Sequence, residues 1–113
     1  MQRILDLTDG DLRVCFDVNH ITLYEGAREA LSALGGRVGT LHISDHDGVD
    51  ERHWIPGRGI VDWPAFVAGL DDIGYQGCLM HEARDADLDL AGNLEAIGEA
   101  ARRHLAWPVG PHN

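Results

Sequence analysis

Three short apolar segments of this chain each end in a side chain that can bind a metal ion, and this feature restricts the fold more than any other. The first segment ends in Asp17, the second in His42 and the third in Glu82. A strand that leads into such residues, rather than into a tight polar turn, is typical of the functional rim of a parallel α/β sheet. We therefore expect the three residues to lie at the same end of one sheet.

A predicted helix follows each of these three predicted strands. Strands are predicted at 14–18, 37–43 and 78–82, and helices at 23–34, 62–70 and 90–105. Gly35 and Gly36 end the first of these helices, and Asp62 caps the second. Because the order is β-α-β-α-β-α, the sheet should be parallel with right-handed crossovers. The long connections follow the strands, which indicates function at one end of the sheet.

Length, charge and cysteine content narrow the class of protein. A chain of 113 residues predicts a single domain spanning 1–113. The net charge is −10 and every basic residue is an arginine, which disfavours nucleic acid as a partner. No leader-like or membrane-length apolar run is present, so the sequence predicts a cytoplasmic protein without a membrane partner. Cys15 and Cys78 fall inside predicted strands and are expected to be buried, reduced thiols.

Strand alternation gives a test of whether the three strand-end residues share a site. Asp17, His42 and Glu82 each fall on the face of their strand that carries the smaller side chains, opposite the face with the large apolar ones. Ionised carboxylates in such a place are unfavourable unless a positive charge compensates them. A divalent cation bound by two carboxylates and an imidazole is a familiar arrangement.

Simpler interpretations exist for each residue alone. A single strand-end Asp is more often a helix cap, and a single His more often a packing or hydrogen-bonding group. The coincidence of three such residues with matching alternation favours a common site. His20 has left the strand after Asp17 and can turn back as a ligand, a substrate donor or a rim residue, and His53 is similar. His81 falls on the opposite face and is interpreted as structural.

The order of several short motifs resembles the C-terminal part of the sugar phosphate isomerase/epimerase family. The motifs are Phe16-Asp17-Val18-Asn19-His20, Leu41-His42-Ile43-Ser44-Asp45, His53-Trp54-Ile55-Pro56-Gly57-Arg58-Gly59-Ile60-Val61-Asp62-Trp63, Gly74-Tyr75-Gln76-Gly77 and His81-Glu82. The family has a xylose isomerase-like TIM barrel and is related to the apurinic-site endonucleases. The resemblance implies an α/β fold, a partial TIM barrel of three consecutive βα units of the (β/α)8 barrel. Residues 1–12 would be the remnant of a preceding helix and 106–113 a C-terminal tail.

The resemblance also implies a divalent metal. Asp17, His42 and Glu82 match three of the four side chains that hold Mn²⁺, Mg²⁺ or Co²⁺ in the epimerases. Glu82 further matches one of two catalytic carboxylates that move a proton at the carbon next to a carbonyl. The fourth ligand is a Glu at the end of an earlier strand, and the sequence shows no counterpart of it.

Four residues are implied to contact substrate. His20 matches a catalytic residue that contacts a substrate oxygen. Arg52, His53 and Arg58 fall in a loop that approaches the substrate in the family. The substrate expected from this resemblance is a small sugar or polyol.

Three functions follow as hypotheses. The first is a metal-dependent sugar (phosphate) isomerase or epimerase module that works through a metal-stabilised enediolate, is incomplete alone, and needs the missing barrel half or self-association. The second is metal-dependent phosphodiester hydrolysis, using the residues Asp17, His20, His42, Glu51, His53 and Glu82. The third is a non-catalytic binding subunit that keeps the fold. The acidic charge disfavours DNA as a substrate.

Overall fold

A computed structural model describes residues 13–105 and confirms the α/β alternation. The elements are β1 (Val14–Asp17), α1 (Val18–Ile21), α2 (Ala27–Leu34), a 3-10 turn (Gly35–Arg37), β2 (Val38–His42), α3 (Trp63–Asp72) and α4 (Leu90–His104). The predicted helix remnant at 1–12 and the tail at 106–113 lie outside the described residues. No helix within 13–105 has the length and apolar character needed to cross a membrane.

The two strands form a parallel pair whose register places two candidate ligands side by side. β1 pairs with β2 in parallel, and the last pair in the register is Asp17 with His42. In a parallel pair, residues in register lie on the same face of the sheet. The side chains of Asp17 and His42 therefore start from neighbouring backbone positions on one face.

The predicted third strand at 78–82 is present as a parallel pairing but not as a continuous strand. Ile43 and His81 form an isolated parallel bridge. The Ile43 N–H donates to the Met80 carbonyl at 2.8 Å, and the Glu82 N–H donates to the Ile43 carbonyl at 2.9 Å. The pairing lies just beyond the end of β2, and a strand requires a longer ladder than these two bonds provide. The bridge nevertheless brings Glu82 to the edge where β1 and β2 end.

The core lies between the sheet and the two helices α2 and α3. Phe16 and Leu41 on the sheet and Phe66 and Leu70 on α3 are fully buried. The Phe16 and Phe66 rings lie 6.1 Å apart between centroids. A Cβ added to Gly69 would lie 2.7 Å from Leu31 Cδ1, so this glycine lets α3 approach α2 closely. Side chains of the opposite sheet face do not contribute to this core.

The opposite sheet face is open, and one prediction about it is wrong. Along β1 the side chains alternate between buried and exposed, with Cys15 exposed and Asp17 partly exposed. Both Cys15 and Cys78 are exposed, not buried as the sequence predicted. Cys15 shares the face of Asp17, and both side chains are accessible to solvent. The alternation was therefore right, and the burial inferred for a strand cysteine was wrong.

The helix boundaries show which local signals were reliable. The Asp62 carboxylate accepts the Ala65 N–H at 3.0 Å and caps α3, as predicted. α4 spans Leu90–His104, close to the prediction. α2 begins at Ala27 instead of residue 23, because the preceding residues form the separate helix α1 and a turn that ends at Gly26.

Candidate metal centre

Three side chains converge at the carboxyl end of the sheet. His42 Nδ1 lies 3.7 Å from Asp17 Oδ2 and 3.7 Å from Glu82 Oε1. One potential ligand atom from each of the three residues lies within 4.8 Å of the other two. Asp17 comes from the end of β1, His42 from the end of β2, and Glu82 from the segment bridged to Ile43. The convergence expected from strand alternation is therefore present in the structure.

Asp17 has two roles that sequence reasoning treated as alternatives. Its Oδ1 accepts the His20 N–H at 3.0 Å and caps the short helix α1. Its Oδ2 faces His42. One carboxylate oxygen therefore holds the backbone turn after β1, and the other remains directed at the cluster. The capping hydrogen bond fixes the orientation of the carboxylate toward His42.

The donor set fits a divalent cation. Two carboxylates and an imidazole are ligands that Mn²⁺, Mg²⁺ and Co²⁺ accept. Within residues 13–105, neither Asp17 nor Glu82 forms an ion pair with an arginine, so no arginine neutralises this pair of carboxylates. Two atoms bound to one octahedral Mg²⁺ at about 2.1 Å lie about 3 Å apart. The two 3.7 Å contacts of His42 need only small side-chain rotations to reach this spacing.

The Cys15 thiol adjoins this cluster but differs from it in chemistry. Desolvation raises the pKa of Cys15, and the charges of Asp17 and Glu82 raise it further. Among residues 13–105, the ligand atoms that meet within 4.8 Å of one another come from Asp17, His42 and Glu82, and the Cys15 thiol is not among them.

A second group of acidic and imidazole side chains lies beside the first. His20 Nδ1 lies 2.9 Å from Glu51 Oε2, and this hydrogen bond raises the pKa of His20. His53 Nε2 lies 3.9 Å from Glu51 Oε1, and His53 Nδ1 lies 3.8 Å from Glu82 Oε1. Glu51 therefore connects the predicted substrate residues His20 and His53. In the sequence it was named only for the hydrolase alternative.

His53 has an unusual backbone conformation, and one of its ring nitrogens accepts or donates no hydrogen bond within residues 13–105. Its φ is +54°, in the left-handed region that non-glycine residues rarely adopt. Its Nδ1 is buried without a hydrogen-bond partner in the described part of the chain. Residues with strained backbone cluster at functional sites. A buried polar atom without a partner is rare in folded proteins and is explained by features such as a catalytic role or a bound water or ion.

The two predicted substrate arginines are both ion-paired. Arg52 Nε lies 2.8 Å from Asp47 Oδ2, and Arg58 Nη1 lies 2.6 Å from Asp85 Oδ2. The Arg52 guanidinium also lies 6.0 Å from the centre of the Trp54 ring. Both arginines line a cleft of about 950 Å³ that also contains His53 and Glu82. We call this space the Glu82 cleft and define its wall by residues 52–55, Arg58 and residues 81–86.

One buried carboxylate organises the loop that carries these residues, and sequence reasoning missed it. Asp45 is fully buried. Its Oδ1 accepts the His46 and Val61 N–H groups at 2.9 and 3.0 Å. Its Oδ2 accepts the Gly57 N–H at 2.8 Å and the Trp63 indole N–H at 3.0 Å. Asp45 therefore ties both ends of the loop 45–63 to one point.

The start of the same loop is held by neutral hydrogen bonds. The Asn19 side chain donates to Ser44 Oγ at 2.8 Å and to the Asp45 carbonyl at 2.7 Å. The Gly48 N–H donates to His46 Nδ1 at 2.9 Å, and His46 Nε2 lies 2.7 Å from Thr22 Oγ1. His46 is thus part of the loop framework.

A family comparison accounts for the open sheet face. A sequence model of the family described as the xylose isomerase-like TIM barrel matches residues 1–107. The chain belongs to this family. In a xylose isomerase-like TIM barrel the inner face of the strands points to the barrel interior, and functional residues lie at the carboxyl ends of the strands. The cluster of Asp17, His42 and Glu82 occupies that position.

Relatives within the xylose isomerase-like family are much longer than this chain. Inosose dehydratase of Yersinia enterocolitica is 27% identical over 97% of this chain and 43% of its own length. The fold is similar to that of 3-keto-D-glucoside 4-epimerase from E. coli, with a TM-score of 0.71 and 23% identity over 92% of this chain and 37% of that one. D-Allulose 3-epimerase from Methylomonas sp. gives a TM-score of 0.70 and 22% identity over 90% and 40%. The chain spans about two fifths of their length, and the two structures show a shared fold.

The ion pair at the edge of the Glu82 cleft predicts a pH dependence of stability. The Asp87 N–H and then the Arg58 guanidinium lower the pKa of Asp85 in the folded chain. A lowered folded-state pKa adds stability above the unfolded value of about 3.9, and this stability is lost as the pH falls through the folded value. We expect the urea midpoint of Asp85→Asn to lie below that of the unsubstituted chain at pH 7 and to approach it near pH 3. Asp71→Asn is the control, because the Asp71 side chain forms no hydrogen bond or ion pair in the described chain. An Asp85→Asn difference that stays constant from pH 7 to pH 3 would contradict the assignment.

Proposed function

We propose that this chain is part of a divalent-metal-dependent sugar (phosphate) isomerase or epimerase that moves a proton at the carbon next to a carbonyl. The observation that carries the proposal is the convergence of Asp17, His42 and Glu82 at the carboxyl ends of parallel strands. The names of the relatives, two sugar epimerases and an inosose dehydratase, support a sugar or polyol substrate. The expected ions are Mn²⁺, Mg²⁺ and Co²⁺, which accept such mixed oxygen and nitrogen ligands.

Each residue of the candidate site has a separate role in the proposed reaction. Asp17, His42 and Glu82 would hold the ion. When bound, the ion would polarise a substrate carbonyl and favour the negative charge that develops on its oxygen. The Glu82 side chain is half exposed, so its carboxylate can reach a bound substrate and accept a proton as a general base. His20 Nδ1–H donates to Glu51, which holds the ring in place, so His20 would donate to a substrate oxygen from Nε2 in its protonated form. The hydrogen bond to Glu51 raises the pKa of His20 and favours that form.

Epimerisation needs a second group on the opposite face of the reacting carbon. Glu82 can supply one face only. This chain spans about two fifths of the length of its relatives. We propose that the second carboxylate comes from barrel units outside this sequence, either in a longer protein or in an associated chain.

Metal stoichiometry tests the proposal and separates it from its alternatives. The chain is stripped with a chelator, loaded with Mn²⁺ and examined by native mass spectrometry. We expect one bound ion, because only one group of three ligand side chains meets within 4.8 Å in residues 13–105. A chain that binds no ion contradicts the proposal and favours the non-catalytic module. Two or three bound ions favour hydrolysis. Deuterium incorporation into D-fructose in D₂O, measured by NMR, would add direct support for proton transfer.

The hydrolase alternative has one specific observation in its favour. His20, Glu51 and His53 form a second acid and imidazole group next to the first, linked to it by the 3.8 Å contact between His53 and Glu82. Hydrolytic sites often use two or more metal ions to stabilise the attacking and leaving oxygens. The net charge of −10 and the absence of lysine disfavour a nucleic acid substrate. The isomerase therefore remains the better supported proposal.

A further inference from the structure

Within residues 13–105, the Glu82 cleft combines two imidazole nitrogens that lack a hydrogen-bond partner with an arginine side chain that forms no hydrogen bond or ion pair. From this combination we propose that the cleft binds the phosphate or carboxylate group of an anionic sugar derivative, with Arg84 as the residue that recognises the charge. The inference deepens the proposed function and rests on it, because it names the substrate class of the same site. The shared chemistry of the two groups is a set of negatively charged oxygens that can accept two parallel hydrogen bonds.

Arg84 differs from the other two arginines of the cleft. Arg52 is held by Asp47, and Arg58 is held by Asp85. The exposed Arg84 side chain forms no hydrogen bond or ion pair with any residue from 13 to 105. Its backbone is fixed, because its N–H donates to the His53 carbonyl at 3.1 Å. An arginine held at the backbone and free at the guanidinium is available for an incoming anion.

The cleft also contains two buried imidazole nitrogens without a hydrogen-bond partner in the described part of the chain. Within residues 13–105, the buried side-chain nitrogens that lack a hydrogen-bond partner are His53 Nδ1 and His81 Nε2. Both residues line this cleft. His81 Nδ1 lies 3.2 Å from the Leu79 carbonyl, which can only accept, so Nδ1 carries the proton and Nε2 is left as an acceptor. A sugar hydroxyl is a donor of the right kind for such a nitrogen.

The arginines in the Glu82 cleft and the position of Glu82 also favour an anionic sugar derivative as the ligand. Three of the nine arginines of this acidic chain line the Glu82 cleft. Glu82 belongs both to the cleft wall and to the candidate metal cluster. A ligand whose anionic group is bound by Arg84 would therefore have the rest of its carbon chain beside Glu82. The Trp54 ring in the same wall offers an apolar surface to a sugar ring.

The proposal is tested by calorimetry on the full chain in metal-free buffer. The probes are D-fructose 6-phosphate for a phosphate, D-gluconate for a carboxylate and D-fructose as the uncharged sugar. We expect at least one anionic probe to bind about tenfold or more tightly than D-fructose, and the better of the two identifies the source of the charge. Arg84→Gln should remove this advantage. Arg102→Gln is the matched control, because Arg102 is an exposed arginine of α4 that contacts Glu99.

The possible results separate this inference from the proposed function. Equal affinities for charged and uncharged probes, or an Arg84→Gln chain that binds like the unsubstituted one, would overturn the role of Arg84. Such a result leaves the Mn²⁺ count unaffected. Arg84-dependent binding in a chain that binds no Mn²⁺ would support the anion site while the metal-dependent function fails. The exposed Arg84 side chain forms no hydrogen bond or ion pair within residues 13–105, so Arg84→Gln should fold, which circular dichroism checks. Arg84→Lys keeps the charge and should retain part of the affinity.

Discussion

Replacement of Asp45 by Ala is expected to lower the free energy of unfolding by about 3–5 kcal/mol, the cost typical of breaking a buried charged network. The Asp45 carboxylate is fully buried and accepts four N–H groups. Removing it leaves three backbone donors and the Trp63 indole without a partner in the protein interior. Urea unfolding of the full chain, followed by circular dichroism, measures the loss.

Asp62→Ala is the matched control for this experiment. The Asp62 carboxylate accepts one N–H group at a helix start, so its removal should cost about 1 kcal/mol. Asp45→Asn keeps the shape of the side chain but directs its amide NH₂ at N–H groups that are themselves donors. The loss in free energy of unfolding for Asp45→Asn should therefore lie between the losses for Asp62→Ala and Asp45→Ala. Equal losses for Asp45→Ala and Asp62→Ala would show that the loop 45–63 is not organised by the buried carboxylate.

The features that follow from local physics could be predicted from the sequence. The alternation of a strand placed Phe16 in the core and Asp17 on the other face, as observed. The cap at Asp62 and the end of α2 at the Gly35 position depend on neighbouring residues only. Because the parity of each strand was read correctly, the convergence of the three candidate ligands could be anticipated. That they bind a metal stays a prediction.

The features that depend on distant contacts could not be predicted. The four N–H donors that surround Asp45 come from residues up to 18 positions further along the chain. No local sequence pattern predicts that the loop folds back onto Asp45 in this way. Glu51 reaches His20 across 31 positions for the same reason. The exposure of Cys15 depends on what covers the inner sheet face, which strand propensity does not report.

The predicted third strand at 78–82 combines a feature that its own sequence predicts with one that depends on distant contacts. The apolar residues before Glu82 predicted a strand, and parallel pairing with Ile43 is observed there. The continuous ladder is absent, because a strand exists through its partners and not through its own pattern. Glu82 nevertheless lies where the sequence predicted it, because one parallel bridge is enough to place it beside His42.

The second prediction with a large expected effect concerns Mn²⁺ binding at the candidate metal centre. His42→Ala should weaken Mn²⁺ binding by about 100-fold or more, because loss of a residue that merely orients a ligand already costs about 10- to 100-fold. His42 Nδ1 lies between the two carboxylates, 3.7 Å from each. Its removal takes the nitrogen donor and the central contact of the cluster together. Mn²⁺ titration of the chelator-treated chain, followed by calorimetry, gives the ratio of affinities.

The origin of this loss can be separated from unspecific effects of histidine removal. His104→Ala removes a histidine of α4 that is not part of the cluster and should leave Mn²⁺ affinity unchanged. Metal binding should also release protons and weaken from pH 8 to pH 5, since a cation competes with protons for imidazole and carboxylate ligands. This pH dependence should be smaller in His42→Ala, because one competing group is gone. An affinity for Mn²⁺ that is the same in His42→Ala and His104→Ala would place the ion elsewhere and remove the basis for a metal-dependent reaction at Glu82.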